Sequence, residues 1–323
     1  VAIITPYVDL ILGKFKSKIG PFSSGNLSIS NQAPGFPQIQ LRAKSDNVNF
    51  TFVIGELYSN LFEEVQYAPD AASSDFPKKI RRYVVNHRFD IAIKDNLRVG
   101  FYEQVIVGHN LPLLYVVPIM PFWSAQHSLG DTDNLQIGFD IEYLISNNRF
   151  YGAFLMDEWS PFNTFNSNHH NWFGGQLGFS HLFINKFLLK LEYTRIEPQV
   201  YTHDDQINFP YHYDYPIGYW SGGDSEDILM KLFYNINNDT DFTLNIRHTI
   251  MGSPIYSYES TDFLGSDNLK KRILFGLQLS KFVKTNYGPI NYIFDMQNIY
   301  TENIYNESNF INCQFSMLYN INN

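Results

Sequence analysis

The stretch Leu135-Gln136-Ile137-Gly138-Phe139-Asp140-Ile141-Glu142-Tyr143 decides the fold. Its odd positions are large and apolar, and its even positions are polar or glycine. Successive side chains of a strand point to opposite faces, so this alternation describes a strand with one apolar and one polar side; a helix would repeat near every 3.6 residues. The period of two continues outward. In 82–93, Tyr83, Val85, Phe89, Ile91 and Ile93 oppose Arg82, Asn86, Arg88 and Asp90, with His87 falling on the apolar face. In 242–250, Phe242, Leu244, Ile246 and Ile250 oppose Thr243, Asn245, Arg247 and Thr249. Segments 272–280 and 311–319 alternate in the same way. In 97–107, Glu103 shares the parity of Val99, Phe101, Val105 and Val107. That predicts either a bulge that resets the phase or a Glu103 lying above the membrane. Segment 149–157 is almost wholly apolar around Gly152 and Ala153, so its two faces are not distinguished.

Tight turn signals sit at Asp46-Asn47, Asp95-Asn96, Asn147-Asn148, Asn185, Asn237-Asn238-Asp239 and Thr285–Gly288. Between consecutive turns lies one long polar-aromatic connection: 58–79, 108–134, 158–170, 198–225 and 251–267. A sheet whose connections alternate short and long has one plain and one elaborated end. That is the pattern of an outer-membrane barrel with short periplasmic turns and long extracellular loops. About fourteen strand segments can be placed: 5–15, 36–45, 47–57, 80–94, 97–107, 135–146, 149–157, 171–183, 186–197, 226–236, 240–250, 268–283, 289–300 and 309–319. An even number returns both termini to the short-turn side. The expected fold class is all-β, an up-and-down antiparallel transmembrane β-barrel, in a single domain over 1–323.

Composition agrees. Aromatics make up 17% of the 323 residues, with 28 Phe and 22 Tyr, which suits girdles at two membrane interfaces. No run of 18 apolar residues exists, so no transmembrane helix is expected. The longest apolar stretch, Leu111–Trp123, contains Pro112, Pro118 and Pro121 and cannot span as a helix. The mean hydropathy is slightly negative, as for a barrel with a polar interior. A net charge of −9 argues against a nucleic-acid partner. The lone Cys313 excludes an internal disulfide and sits at an apolar strand position, where packing is its expected role. The chain begins at Val1 without a signal peptide, which suggests a mature or trimmed form of an exported protein.

Three stretches resemble the capsule assembly protein Wzi family. Gly20-Pro21-Phe22-Ser23-Ser24-Gly25-Asn26-Leu27-Ser28-Ile29-Ser30-Asn31-Gln32-Ala33-Pro34 is similar to the family's "WGPG…LLLSNNA-P" segment, with Ile19 where Trp is usual. Asn86-His87-Arg88, Leu97 to Glu103 and Pro118-Ile119-Met120-Pro121-Phe122 resemble its "HR…L.LGF.E…NPL.P" core. Asp133-Asn134, Asp140 and Tyr151 to Glu158 resemble its "DN…D…LYGE..IDD" region. The resemblance runs over about 13–160 and implies an outer-membrane barrel of a Gram-negative bacterium. The family's best understood member is a lectin that attaches capsular polysaccharide to the cell surface. Its barrel has more strands than are counted here and follows a small helical element.

The richest candidate binding surface is the connection from Tyr201 to Trp220. Sugars present apolar C–H faces and dense hydroxyls, so a glycan site needs flat aromatics beside carboxylates. Tyr201, His203, Asp204, Asp205, Tyr211, His212, Tyr213, Tyr215, Tyr219 and Trp220 supply both. Asp157 and Glu158 end a strand at the long-loop rim, where Glu103 and Asp133 are expected nearby; such a cluster could grip sugar hydroxyls or bridge through Ca²⁺ to an anionic polymer. By parity Arg82, Arg88, Asp90, Arg98, Asp140, Glu142, Lys190, Glu192 and Arg247 face the lumen, where mixed signs cross-link a wall rather than focus a conducting field. His203-Asp204-Asp205 with His212, and His169-His170, are weak metal candidates, because adjacent strand residues face apart; no metal and no cofactor is expected. No Gly-x-Ser-x-Gly elbow, His-Glu-x-x-His or phosphate loop occurs.

The expected function is non-catalytic binding of surface polysaccharide or lipopolysaccharide at the extracellular rim of a barrel set in outer-membrane lipid. A diffusion or substrate-specific pore is the first alternative. A barrel subunit of a larger envelope complex is the second, with Leu111–Trp123 either folding inward as a plug or contacting lipopolysaccharide or a partner protein.

Overall fold

Alternation makes each segment a strand, and the tight turns make consecutive strands antiparallel neighbours. The computed structural model describes residues 1–61, 79–130, 132–157, 172–184, 186–255, 262–285 and 288–319. The strands are β1 (Ala2–Ile4), β2 (Val8–Phe15), β3 (Phe36–Lys44), β4 (Val48–Leu57), β5 (Arg82–Lys94), β6 (Leu97–Gly108), β7 (Asn134–Ile145), β8 (Asn148–Asp157), β9 (Trp172–Phe183), β10 (Phe187–Ile196), β11 (Tyr211–His212), β12 (Tyr215–Pro216), β13 (Ser225–Asn237), β14 (Thr240–Met251), β15 (Lys270–Thr285), β16 (Gly288–Glu302) and β17 (Glu307–Tyr319). All but β11 and β12 form one 15-stranded antiparallel sheet in sequence order, with β1 and β17 at its two edges. The fourteen segments read from the sequence correspond to β2–β10 and β13–β17. The segment read as a strand over 5–15 begins with a turn at Thr5–Val8, where Thr5 Oγ1 donates to the Val8 carbonyl at 2.5 Å, and β1 precedes that turn as a further strand. Cys313 is exposed on the edge strand β17.

One connection departs from the short–long rule. Residues 303–306 join β16 to β17 tightly at the elaborated end, with the Asn303 N–H donating to the Asn306 carbonyl at 2.9 Å. Residues 16–35, between β2 and β3, form a long connection that turns into the barrel. Phe22, Leu27 and Ile29 of this segment are fully or almost fully buried. It doubles back on itself through a bridge between Ile19 and Ile29. Gly20 and Gly25 make the tight returns with positive φ, and a Cβ at Gly20 would lie 2.5 Å from Asn26 Oδ1.

The parity anomalies at His87 and Glu103 have one cause, which is neither a bulge nor a position above the membrane. The β5–β6 register runs unbroken from Arg82↔Gly108 to Ala92↔Arg98, and within it His87 lies directly opposite Glu103. Both side chains point outward. They are buried there because the connection 109–133 folds over the outside of the wall. This connection carries helix α1 (Leu113–Val116) and helix α2 (Phe122–Leu129). Tyr115, Phe122 and Ala125 pack on Phe52, Val85, Val105, Val107, Leu135 and Ile137. His87 Nε2 and Glu103 Oε2 are 2.8 Å apart, and Glu103 Oε2 also accepts the Phe122 N–H at 2.7 Å. His87 Nδ1 lies 3.0 Å from the Pro118 carbonyl, and the Phe122 ring stacks on the imidazole at 4.2 Å. The Leu111–Trp123 stretch is therefore not an inward plug.

Glu103→Ala strands His87 and the Phe122 amide in an apolar setting. It is expected to lower the unfolding free energy by about 3 kcal/mol in urea titrations of the vesicle-refolded protein, whereas H87F/E103L, which removes both partners, loses much less.

Candidate functional site

The lumen wall is built from even-numbered positions of β5–β7, which the alternation leaves polar. Across β5 to β8 one row forms an amide ladder. Asn86 Nδ2 donates to Gln104 Oε1 at 3.3 Å, Gln104 Nε2 to Gln136 Oε1 at 2.8 Å, and Gln136 Nε2 to Asp157 Oδ2 at 2.9 Å. These residues are registered partners on adjacent strands, so the spacing follows from the sheet itself. Buried amides need partners on their free sides, and segment 16–35 supplies some. Asn86 Nδ2 donates to Ser28 Oγ at 3.0 Å, and Gln176 Nε2 donates to the Gly25 carbonyl at 3.0 Å. Glu192 accepts the Ser23 and Ser24 N–H groups at 2.8 and 2.6 Å and the Tyr151 hydroxyl at 2.7 Å. Arg247 donates to the Ser24 carbonyl at 2.7 Å. Burial pulls the Lys18 ammonium below the ordinary lysine range, and the charge of Glu192 partly opposes that shift.

The connection 197–224 also folds inward and seals the barrel against segment 16–35. The Tyr201 hydroxyl donates to the Leu27 carbonyl at 2.5 Å, and the Ser30 N–H donates to the Ile217 carbonyl at 2.7 Å. Asp157 accepts the Tyr201 N–H at 2.7 Å. Arg82 donates through Nε to the Ile207 carbonyl at 2.5 Å, through Nη1 to the Tyr211 carbonyl at 3.2 Å, and also to the Phe209 carbonyl. The Tyr219 hydroxyl donates to Asp227 Oδ2 at 2.6 Å. Burial pushes the Tyr201 and Tyr219 phenols well above their ordinary range, so both remain donors.

The residues expected to bind glycan thus divide. Tyr201, His212 and Tyr219 are buried, and the guanidinium groups of Arg247 and Arg272 lie 5.1 and 5.0 Å from the ring of Trp220. Tyr211 is half-buried in a two-stranded ribbon in which β11 pairs with β12. Its turn presents Tyr213, at 40% exposure, and Asp214, followed by Tyr215 at 54%. His203 pairs with the exposed Asp204 at 2.5 Å, and Asp205 caps a short 3-10 turn at 206–208 by accepting the Ile207 N–H at 2.9 Å. Among the described residues no three or more His, Cys, Asp or Glu side chains gather as a metal site would require.

The expected grouping of Asp157, Glu103 and Asp133 at one rim does not occur. Asp157 faces the lumen, Glu103 faces outward, and Asp133 is buried beneath α1, where it accepts the Tyr115 hydroxyl. Glu158 and His169-His170 lie outside the described residues. Of the lumen charges, Arg88 pairs with Asp90 and Asp140, both at 2.5 Å, and Glu142 pairs with Arg149 at 2.5 Å. Lys190 donates to Ser23 Oγ at 3.2 Å. Arg98 lines, with Lys18, Arg42 and Asp140, a cavity of about 350 Å³ beneath segment 16–35.

The sequence reading missed Tyr58, which supports the ribbon. The Tyr58 N–H donates to His212 Nδ1 at 3.1 Å, its carbonyl accepts the Tyr213 N–H at 2.6 Å, and its ring lies 5.9 Å from that of Tyr213. The only available signal was that Tyr58 opens a long connection. Burial, followed by the charges of Lys14 and Arg82, lowers the His212 pKa to about 4. The ribbon is therefore seated on a neutral imidazole.

The model of the capsule assembly protein Wzi family matches residues 1–262. The chain belongs to that family. Among solved structures it is similar to the Escherichia coli Wzi, described as an outer-membrane, carbohydrate-binding β-barrel involved in group 1 capsule assembly. The two share 14% identity over 98% of this chain and 68% of that one, with a TM-score of 0.65. It is also similar to Pseudomonas aeruginosa OccD3 (9% identity, 96% and 75% coverage, TM-score 0.49) and OprD (12%, 97% and 78%, 0.47). No curated protein sequence matches it. The chain is an outer-membrane β-barrel protein of a Gram-negative bacterium.

Two outcomes follow. His212 is held neutral in the fold, so the unfolded ribbon binds the extra proton. Ribbon docking is complete above about pH 6.5 and weakens by up to about 1.4 kcal/mol per unit as pH falls toward 4. Amide exchange across 209–218 should accelerate over that window in the native chain and stay flat in H212Q. Removing two grips on segment 16–35 with E192A/R247A should raise planar-bilayer conductance well above that of the native barrel.

Proposed function

We propose that this chain is a non-catalytic polysaccharide-binding barrel, a single domain that holds surface or capsular glycan at its extracellular rim. The carrying observation is the β11–β12 ribbon. It exposes Tyr213, whose ring lies beside that of Tyr58, and Tyr215, with Asp214 in the turn and Asp204 and Asp205 exposed in the preceding stretch. Flat phenol faces stack on sugar C–H surfaces, and carboxylates accept hydroxyl hydrogen bonds. The platform is rigid because it rests on buried Arg82 and His212, and so little ordering entropy opposes binding. The carbohydrate binding described for the Escherichia coli Wzi supports the same reading. Segment 16–35 in the lumen favours binding over a diffusion pore. Tyr201, Tyr219 and Asp157 act as supports of the platform.

The test is calorimetric titration of the detergent-purified chain with polysaccharide extracted from the producing cell surface. Y213A/Y215A should weaken binding at least about tenfold, at roughly 1 kcal/mol per aromatic, while the barrel stays folded. Y219F, which keeps the buried ring, should bind like the native chain. Unchanged affinity in Y213A/Y215A would refute the platform.

A further inference from the structure

We infer that the connection 109–133 is a lipid-embedded strap, and that its outward face is in contact with the acyl chains of the outer leaflet. Position along the wall is the first argument. Ile228 on β13 and Ile273 on β15 each lie three residues in from the elaborated end, face outward, and are 50% and 46% exposed. Val85, Val105 and Ile137 lie equally far in on β5, β6 and β7 and also face outward, yet they are buried beneath the strap. The strap therefore occupies a height at which Ile228 and Ile273, on either side of His248, stand bare on the outside of the wall.

The bare part of the wall under the strap is too short by itself. On β6 the outward positions free of it run from Leu97 to Phe101, five residues, or about 17 Å along the strand even before tilt. An outer-membrane apolar band is about 25 Å tall. The missing height must be supplied by whatever covers Glu103, Val105 and Val107.

The composition of the strap fits that task. From Gln104 to Gly130 the chain has no Lys, Arg, Asp or Glu. The side chains it turns away from the wall include Leu113 at 83% and Ile119 at 75% exposure, together with Val117 and Trp123. In water such a patch would be costly, whereas beside the apolar band of the same wall it continues an existing lipid surface. The absence of cationic side chains sets the strap against acyl chains rather than phosphorylated headgroups. Trp123, whose ring lies 4.4 Å from that of His127 at a tilt of 45°, suits the interface at the upper edge. The Pro118 carbonyl and the Phe122 N–H of the strap turn inward onto His87 and Glu103, while the exposed His127 and Ser128 bond to carbonyls of their own helix, those of Trp123 and Ser124.

A nitroxide on I119C in a C313S background, in protein refolded into phosphatidylcholine vesicles, tests the inference. Collision with oxygen and with a water-soluble nickel chelate is compared against I273C on the bare wall and N268C in an exposed connection. The expected result is oxygen access within about twofold of I273C and nickel access several-fold below N268C. Nickel access equal to that of N268C would place the strap in water and overturn the inference. Low access to both reagents would place a protein surface on the strap and overturn it equally. L113C provides a second site should I119C fail to refold.

Discussion

The two amide protons of Ser23 and Ser24 on the carboxylate of Glu192 represent the constraint on which the rest of the structure depends. A barrel puts half of every strand on a polar inner face. Once that space is filled by chain rather than water, each buried donor and acceptor needs a partner. Segment 16–35 and the amide ladder from Asn86 to Asp157 meet much of this need jointly, so the wall and its filling share their hydrogen bonds.

The same requirement explains why two long connections go opposite ways. The 197–224 connection brings carbonyls and tyrosines that match Arg82, Asp157 and Asp227, and it turns inward. The 109–133 connection brings leucine, valine, phenylalanine and proline, and it lies on the valine-rich outside. One polar pair, His87 and Glu103, sits on that outer face. It is tolerated because Phe122 and Pro118 meet its hydrogen-bonding positions.

The candidate site inherits its rigidity from this arrangement. The exposed tyrosines at the ribbon turn are anchored by the buried Arg82, which donates to the Tyr211 carbonyl, and by the buried His212 imidazole, which accepts the Tyr58 N–H. A binding platform on the rim of a plugged barrel suits the family to which the chain belongs better than an open conduit does.

The strands were legible because a period of two is a local property. Lipid on one face and polar groups on the other dictate it residue by residue, and the tight turns at Asp46-Asn47 and Asp95-Asn96 needed only their own chemistry. His87 and Glu103 were legible as anomalies but not as a pair, since their meaning depends on loop residues 31 and 19 positions away in the chain. Tyr201, Tyr213 and Tyr219 look alike in sequence. Only the tertiary structure buried the first and third and exposed the second, because the destination of an aperiodic connection is set by which distant wall can satisfy it. The sequence by itself determined the sheet, its order and its two faces. Where the loops went, and hence which aromatics are free to meet a ligand, was decided by long-range pairing of buried polar groups.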